Sequence, residues 1–280
     1  MLNTPFSPWP SFTPEEADAV HRVVMSNKVN YWTGTETREF EKEFAAWCGT
    51  THAVALANGT LALDVALIAL GVGPGDEVVV TPRTFIASIS CVVNAGAVPV
   101  FADIEPDSGN ISARTIAAVL TPRTKAVICV HLAGWPCDMD PIMALAQRRR
   151  LFVIEDAAEV HGALYQSNRG TPQETWNKCG GIGHISTFSF FANKLITTGE
   201  GGMVITNDPE LAARSRSLRN LCFRSDRRFL HTEHGHQFRL TNMQAALGVG
   251  QVKRIESIVD RKRWAAAEYT QRLSDLTQLQ

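Results

Sequence analysis

The sequence predicts an α/β protein with a three-layer architecture, in which helices cover both faces of a mostly parallel sheet. Short apolar runs alternate with helical segments from residue 52 to residue 156. These runs are apolar throughout, as expected for parallel strands that are buried on both faces. The chain has 280 residues, of which 45% are hydrophobic and 20% are charged, so it can form a large core. These observations predict one large domain.

A helix with a clear start signal precedes the sheet. Thr13 is its predicted cap and Pro14 lies in its first turn. Strands and helices then alternate in the order HAVALAN (strand), GTLALDVALIAL (helix), DEVVVT (strand), FIASISCVVNAG (helix), VPVFADI (strand), SARTIAAVL (helix), TKAVICVHL (strand), DPIMALAQRRR (helix) and LFVIED (strand).

The pattern changes near Tyr165. The polar segment QSNRGTPQETWNKCGG predicts a surface loop, followed by two closely spaced strands, HISTFSFF and GGMVITND. From DPELAARSRSLRNL onward the pattern is helical. Residues 241–276 are predicted to form one long helix capped by Thr241 or Asn242.

Composition disfavours several functional classes. Lys and Arg number 27 against 28 Asp and Glu, so no positive field favours nucleic acid or an anionic membrane surface. The six cysteines show no CxxC pair or zinc spacing, which is typical of reduced thiols in the cytoplasm. No secretory signal is recognisable at the N-terminus. The segment HTEHGH lacks the spacing of a metal motif, so no metal site is expected.

Candidate site residues follow the predicted strands, because ligands of such sheets bind beyond the carboxyl ends of the strands. Each of them alone has an ordinary structural explanation, such as a turn, a helix cap or a core position. The candidates are Asn58, Gly59, Thr60, Thr84, Phe85, His131, Asp156, Ser189 and Lys194.

Together these candidates indicate one ligand with three chemical groups. Gly59 and Thr60 open a helix, where backbone N–H groups bind phosphate, and Ser189 supplies another donor. Asp156 stands among apolar residues and requires a cation, such as a protonated ring nitrogen. Lys194 follows an aromatic run, and a lysine in an apolar setting becomes a nucleophile toward aldehydes. Phosphate, ring nitrogen and aldehyde are all present in pyridoxal phosphate.

The sequence also resembles the nucleotide-sugar aminotransferases of the DegT/DnrJ/StrS family, including perosamine-synthase-like members. The resemblance spans nearly the whole chain and is most specific where FSFFANKLITTGEGG follows EDAA. Further matching blocks are YWTGTETREFEKEFA, HAVALANGTLALDVALIALGVGPGDEVVVTPRTFIAS, AGAVPVFADIEPDSGNI, TPRTKAVICVHLAGWPCDMDPIMALA, VIEDAAEVHGA and RLTNMQAALGVGQ.

The resemblance implies an aspartate-aminotransferase type of fold (pyridoxal-phosphate fold type I) and a role for each residue. Lys194 matches the lysine that forms a Schiff base with the cofactor and moves the substrate proton. Asp156 matches the partner of the pyridine nitrogen, and Phe85 matches the aromatic residue that covers the ring. Gly59, Thr60 and Ser189 match the phosphate-binding residues. Relatives with histidine at the lysine position are dehydratases, so the lysine favours amino transfer.

The chain departs from the family pattern at several positions. Glu159 stands where many relatives have glutamine, near the expected phenolic oxygen of the cofactor; repulsion would leave it protonated or turned toward the substrate. Gln237 replaces an asparagine that reaches the cofactor phosphate of the partner subunit. The polar loop at 166–181 is longer than usual and is interpreted as a tolerated insertion rather than a lid. His161 is predicted to be a buried, hydrogen-bonded packing residue.

The resemblance implies a domain division and a function. Residues 1–240 would form the cofactor-binding large domain, and residues 241–280 a long helix leading to a C-terminal small domain that is absent from this chain. The expected activity is transfer of an amino group, from glutamate, to a nucleotide-linked keto sugar for polysaccharide biosynthesis, in a cytoplasmic homodimer with a shared site. The alternative is a truncated non-catalytic or regulatory relative that keeps the fold, with or without the cofactor.

Overall fold

The computed structural model describes residues 9–224, 226–227 and 229–276. Its helices are α1 (Pro14–Ser26), α2 (Glu36–Cys48), α3 (Gly59–Ala69), α4 (Ala87–Asn94), α5 (Ala113–Ala117), α6 (Met139–Arg149), α7 (Pro209–Arg219), α8 (Asn242–Lys253) and α9 (Ile255–Leu273). Its strands are β1 (His52–Leu56), β2 (Glu77–Val80), β3 (Val98–Phe101), β4 (Thr124–Val130), β5 (Phe152–Asp156), β6 (Leu164–Ser167), β7 (Thr175–Lys178), β8 (Ile185–Ser189) and β9 (Gly202–Thr206).

Seven strands form the main sheet in the order β1-β9-β8-β5-β4-β2-β3. The pairs β3–β2, β2–β4, β4–β5 and β5–β8 are parallel, and β9 runs antiparallel to both β8 and β1. The prediction of a mostly parallel sheet is therefore confirmed. The carboxyl ends of β4, β5 and β8 lie at one edge of this sheet, where polar residues follow each strand.

Two apolar clusters, one on each face of the sheet, confirm the three-layer arrangement. One cluster contains Phe40 and Phe44 of α2 packed on Phe188 and on Phe190, which follows β8. The other contains the apolar residues of α3 and α4, including Leu67, which is fully buried. The sheet is thus covered on both faces, which explains why its strands lack the polar alternation of a half-exposed sheet.

The predicted surface loop at 166–181 is wrong in part, because β6 and β7 pair there as an antiparallel two-stranded sheet. Tyr165 anchors this hairpin: its ring is buried and its hydroxyl donates to Asp138 Oδ1 at 2.6 Å and accepts from Asp140 N at 2.9 Å. Polar side chains on exposed strands conceal the strand signal in the sequence. The hairpin packs on the start of α6, a contact that local sequence does not reveal.

The predicted long helix after residue 241 is also wrong, because the chain breaks between α8 and α9. Arg254 has φ −113° and ψ 9° and separates the two helices. Its side chain pairs with the buried Glu16 of α1, at 2.8 Å, and Ile255 and Val259 then enter the core. Tertiary packing sets this break, since no glycine or proline marks it. The expected start is confirmed: Thr241 caps α8 in a reciprocal pair with Gln244.

None of the helices in the described ranges is both long enough and apolar enough to span a membrane. All six cysteines are buried and free. Within the same ranges, no three His, Cys, Asp or Glu side chains are grouped so as to hold a metal ion.

Candidate active site

A cavity of about 410 Å³ lies at the carboxyl ends of β5 and β8, beside the N-terminus of α3. It brings together candidates that are up to 136 positions apart in sequence (Asn58 to Lys194). The predicted site residues that line it are Asn58, Gly59, Thr60, Thr84, Phe85, Asp156, Glu159, Ser189 and Lys194. Only the tertiary structure could show that these residues share one cavity.

The N-terminus of α3 forms one end of the cavity. Asn58 caps the helix by accepting from Leu61 N at 2.9 Å, and Gly59 and Thr60 follow in the first turn. A Cβ at Gly59 would lie 2.8 Å from Ser189 Cβ, so the helix start and the end of β8 approach closely only with glycine there. Exposed N–H groups at a helix start, with hydroxyls beside them, form a site for a phosphate group.

Asp156 lies deep in the cavity. Its Oδ2 accepts from Ser88 Oγ at 2.6 Å, and its Oδ1 accepts from Ala158 N at 3.2 Å. Burial raises the pKa of Asp156, although the hydrogen bonds from Ser88 and Ala158 act in the opposite direction. The charged form of this carboxylate would therefore gain from a cation in the cavity, such as a protonated ring nitrogen.

Lys194 lies in the turn between β8 and β9, and its side chain is 19% exposed. Its Nζ is 3.3 Å from Glu159 Oε1, so the expected apolar surrounding is replaced by an ion pair. The other carboxylate oxygen, Glu159 Oε2, accepts from Ala133 N at 2.9 Å. Glu159 is thus oriented from both sides and holds the lysine amine inside the cavity.

The turn that supports Glu159 is built on a buried histidine. Ala133 has φ 52°, in the left-handed region that is unfavourable for residues other than glycine. Below it, His131 Nε2 lies 2.9 Å from Glu155 Oε2, and His131 Nδ1 accepts from Cys137 N at 3.1 Å. Since Nδ1 accepts, the ring proton is on Nε2 and is donated to Glu155. His131 therefore supports the turn rather than facing the cavity.

The turn that carries Lys194 is fixed to α8. Gln251 Oε1 accepts from Thr197 N at 3.3 Å, and Gln244 Nε2 donates to Glu200 O at 2.9 Å. At the end of the turn, a Cβ on Gly202 would lie 2.2 Å from Asn58 O. The glycine-rich segment after Lys194 is thus required for close backbone contact between β9 and the start of α3.

Three other sequence predictions have different outcomes. Phe85 is 71% exposed at the cavity, where it can cover a planar ring. Gln237 is exposed and pairs through its backbone with Asn220, outside the cavity of its own chain. His161 is buried against Phe188 and Phe190, which confirms the predicted packing histidine. Its ring nitrogens make no well-formed hydrogen bond, although the backbone of Ser189 lies near enough to raise its pKa against the effect of burial.

Sequence reasoning named Thr84 but missed Ser88 and Ala133, which orient predicted site residues. Ser88 contacts Asp156 directly, and Thr84 Oγ1 lies 2.8 Å from Ser88 Oγ. The four-residue spacing of Thr84 and Ser88 at a helix start was a usable signal for a shared hydroxyl pair. Ala133 offered no such signal, because its role depends on its backbone N–H.

The cavity has the donor set that pyridoxal phosphate requires: a helix start for the phosphate, a buried carboxylate for the ring nitrogen and an amine for the aldehyde. Ser189 is 9% exposed and lies beside Gly59, at the end of the cavity that would hold the phosphate. Lys194 approaches from the Glu159 side. These residues therefore fit the cofactor.

The chain is similar to known proteins along most of its length. The model of the DegT/DnrJ/EryC1/StrS aminotransferase family matches residues 10–280. A GDP-perosamine synthase from Caulobacter vibrioides is 48% identical over 238 residues, which are 85% of this chain and 62% of that protein. A dTDP-3-amino-3,4,6-trideoxy-α-D-glucose transaminase from Streptomyces venezuelae is 41% identical, with coverages of 92% and 65%.

A solved structure agrees with these sequence relatives. The crystal structure of an aminotransferase from Psychrobacter cryohalolentis has a TM-score of 0.83 and 54% identity, covering 89% of this chain and 64% of the other. The chain thus spans less than two thirds of the length of these relatives. By the family match over residues 10–280, the chain belongs to the DegT/DnrJ/EryC1/StrS aminotransferase family.

Proposed function

We propose that this chain binds pyridoxal phosphate and transfers an amino group, from glutamate, to a nucleotide-linked keto sugar. The observation that carries the proposal is the placement of Lys194 in one cavity with Asp156 and the start of α3. Family membership supports it, and the names of the relatives favour GDP-linked and dTDP-linked sugars as the first substrates to test. The product would be an amino sugar for polysaccharide biosynthesis.

Each residue has a role that follows from its contacts. Gly59, Thr60 and Ser189 would bind the phosphate, and Phe85 would cover the ring. Asp156, oriented by Ser88, would keep the ring nitrogen protonated. When bound, the cofactor supplies an aldehyde that condenses with amines and a ring that delocalises electrons.

Lys194 would hold the aldehyde of the cofactor and then carry a proton between the cofactor and the substrate carbon. Its amine lies 3.3 Å from Glu159 Oε1, so the proton that it takes or gives has a nearby acceptor. Glu159 is itself oriented by Ala133 N–H. Membership of an aminotransferase family and the names of its relatives favour catalysis over the alternative of a non-catalytic relative.

We also propose a cytoplasmic homodimer, in which Gln237 reaches the cofactor phosphate of the neighbouring subunit. Gln237 is exposed outside its own cavity, which supports a contact across the interface. Six free buried cysteines are compatible with a reducing compartment.

Covalent attachment tests the proposed role of Lys194. Purified protein with pyridoxal phosphate should be yellow, and borohydride should link the cofactor to the peptide that contains Lys194. Lys194→Ala should abolish amino transfer and retain some cofactor through the phosphate contacts. Lys178→Ala is the control, since Lys178 lies outside the cavity. Labelling of a different lysine would exclude the assignment.

Assays with glutamate and a panel of GDP-linked and dTDP-linked keto sugars test the reaction.

A further inference from the structure

Lys194 lies in a turn that is closed by its own hydrogen bonds. Phe190 N donates to Gly201 O at 2.8 Å, and Thr198 N donates to Phe190 O at 3.0 Å. Thr197 Oγ1 donates to the same carbonyl oxygen of Phe190 at 2.9 Å. These bonds join the two ends of the turn at its base, so the turn moves as one compact unit. The position of the lysine amine therefore depends on what holds this unit against the rest of the molecule.

Gln251 of α8 holds the base of the turn from inside the protein. Its side chain is 2% exposed, and its Oε1 accepts from Thr197 N at 3.3 Å. Its Nε2 donates to Oε1 of Glu16, on α1, at 2.9 Å. Because one atom of the amide accepts and the other donates, the two contacts fix the orientation of the amide. We call Glu16, Gln251 and Thr197 the Gln251 link, which joins the lysine turn to α1.

Glu16 is itself held in place at the α1 end of the Gln251 link. It is buried, and its carboxylate pairs with Arg254 Nε at 2.8 Å and accepts from Thr13 N at 2.9 Å. Gly250 allows α8 to approach this carboxylate, because a Cβ on Gly250 would lie 2.7 Å from Glu16 Cγ. A charged acceptor forms a stronger hydrogen bond than a neutral one, so Gln251 is bound to a fixed anion.

Apolar packing also holds the lysine turn. Phe190 packs on Phe40 and Phe44, with ring centroids 5.0 Å and 5.2 Å apart, and Ile196 is buried. Apolar contacts are non-directional, whereas a hydrogen bond requires a defined distance and angle. Packing therefore fixes the turn on one side, and the Gln251 link restricts the movement that packing leaves. The competing interpretation is that Gln251 only supplies a partner for a buried backbone N–H.

The two members of the ion pair in the cavity are fixed by different parts of the fold. Glu159 is oriented by Ala133 N, which donates to its Oε2 at 2.9 Å. Lys194 precedes Thr197 by three residues, and its amine lies 3.3 Å from Glu159 Oε1. Loss of the Gln251 link would therefore move the amine relative to Glu159 although neither residue is replaced. A shift of about 1 Å in a reacting group can lower a rate on the order of 100-fold.

We propose that Gln251 is a positioning residue for Lys194. Through Thr197 it sets the position of the turn, and through Glu16 it takes its own position from α1. Gln251 is not among the described residues that line the cavity around Lys194 (the Lys194 cavity), so its effect on the amine passes through the turn. The inference rests on the proposed function where it concerns the cofactor, and it deepens that function by adding a residue remote from the ligands.

Attachment of pyridoxal phosphate, followed by absorbance, tests the proposal in Gln251→Met. Methionine nearly keeps the size of the side chain and removes both hydrogen bonds. The attachment rate at saturating cofactor should fall about tenfold, because Lys194 is displaced by a fraction of an ångström. The cofactor concentration that gives half of the maximal rate should change little, since the helix start that would bind the phosphate is unaltered.

Thr13→Ala is the matched control. It removes the cap of α1, where Thr13 Oγ1 accepts from Glu16 N at 3.3 Å, but it keeps the bond from Gln251 to Glu16. The melting temperature should fall in both variants, whereas attachment should slow in Gln251→Met alone. An attachment rate in Gln251→Met equal to that of the parent chain would overturn the proposal. Equal slowing in the two variants would overturn it too, because lost stability would then explain the effect.

An exchange of side chains keeps the proposal testable if Gln251→Met does not fold. Gln251→Glu places a second carboxylate against Glu16, and repulsion between like charges should displace the turn and slow attachment. Adding Glu16→Gln restores a donor and an acceptor across the same contact, so the double variant should recover most of the rate. A double variant as slow as Gln251→Glu would contradict the positioning role.

Chemical labelling of the cofactor-free chain separates this proposal from the proposed function. The side chains of Lys194 and Lys178 are 19% and 27% exposed, so an amine-reactive reagent should label both, and mass spectrometry compares the extents. The ratio of Lys194 to Lys178 labelling should rise about twofold in Gln251→Met, the effect of weakening one partly exposed ion pair. An unchanged ratio would overturn the positioning role. A raised ratio in a chain whose Lys194 never attaches the cofactor would contradict the proposed function alone.

Discussion

Glu155 and Asp156 are adjacent carboxylates with opposite roles, because successive side chains of a strand point to opposite faces. Glu155 is fully buried and accepts hydrogen bonds from the backbone amides of Gly180 and Ile182, both at 2.8 Å. Asp156 faces the Lys194 cavity. The first carboxylate stabilises the fold around the site, and the second is available to a ligand.

Asp156→Asn should lower turnover by on the order of 100-fold while changing cofactor affinity much less. The amide has nearly the shape of the carboxylate, but it carries no charge to keep a ring nitrogen protonated. Steady-state kinetics and cofactor titration measure the two effects. Ser88→Ala should show a smaller loss, since it removes only an orienting hydrogen bond. Near-normal turnover in Asp156→Asn would contradict the role of the charge.

His161→Phe should make stability less dependent on pH. Burial, and then the charge of Lys194, lower the pKa of His161 from its ordinary value of 6.5 to about 3. The folded chain therefore holds His161 neutral, and its stability falls as pH decreases below 6.5, by up to about 1.4 kcal/mol per pH unit until pH approaches 3. Phenylalanine does not titrate, and the histidine ring makes no well-formed hydrogen bond that the substitution would remove.

Urea unfolding at pH 7.5 and pH 5 measures this effect. The difference in unfolding free energy between the two pH values should shrink in His161→Phe and remain in His21→Gln, whose histidine is exposed on α1. Identical pH dependence in the parent chain and His161→Phe would show that His161 is not the responsible group.

At the scale of elements, the β6–β7 hairpin is peripheral to the site. As far as the described residues go, none of its residues lines the Lys194 cavity. It contacts α6 through Tyr165 and through Asn168 N, which donates to Asp140 Oδ2 at 2.6 Å, and Lys178 of β7 contacts Glu256 and the ring of Trp47. The turn at Ala133 is a contrasting case, because one backbone N–H of that short segment orients Glu159.

Shortening the hairpin should leave the site intact. Replacement of residues 168–174 by Asn-Gly keeps the paired strands and supplies a favourable two-residue turn. Cofactor affinity and attachment at Lys194 should not change, and the melting temperature should change slightly, because loop length contributes little to stability. Absorbance titration with pyridoxal phosphate gives the answer. A clear loss of affinity would indicate that the hairpin closes over the cavity.

At the scale of the molecule, we expect an isologous dimer that buries the surface around Asn58 and Gln237. Gln237→Ala should weaken cofactor binding about tenfold by removing a hydrogen bond to the neighbour's phosphate. Gln166→Ala, in the hairpin, is the control. Light scattering on the cofactor-loaded chain reports the assembly. A stable monomer with full cofactor affinity, or an unchanged affinity in Gln237→Ala, would exclude a shared site.

Local sequence predicted most elements of the sheet and its helices, since buried parallel strands and capped helices have strong local signals. It failed at the hairpin, where polar residues conceal exposed strands, and at Arg254, where packing against Glu16 interrupts a helical pattern. It also could not predict that His131 lies under the cavity wall, bound to Glu155, because the direction of a side chain after a strand depends on the turn that follows.

The sequence by itself predicted the chemistry of the site: the lysine, the aspartate and the glycine-threonine helix start are residue types that only a few ligands need together. The tertiary structure decided how they act. It placed Lys194 against Glu159 and gave Asp156 the hydroxyl of Ser88. The physical reason is that these contacts join segments far apart in the chain, whose relative positions are set by packing on the sheet and not by any local pattern.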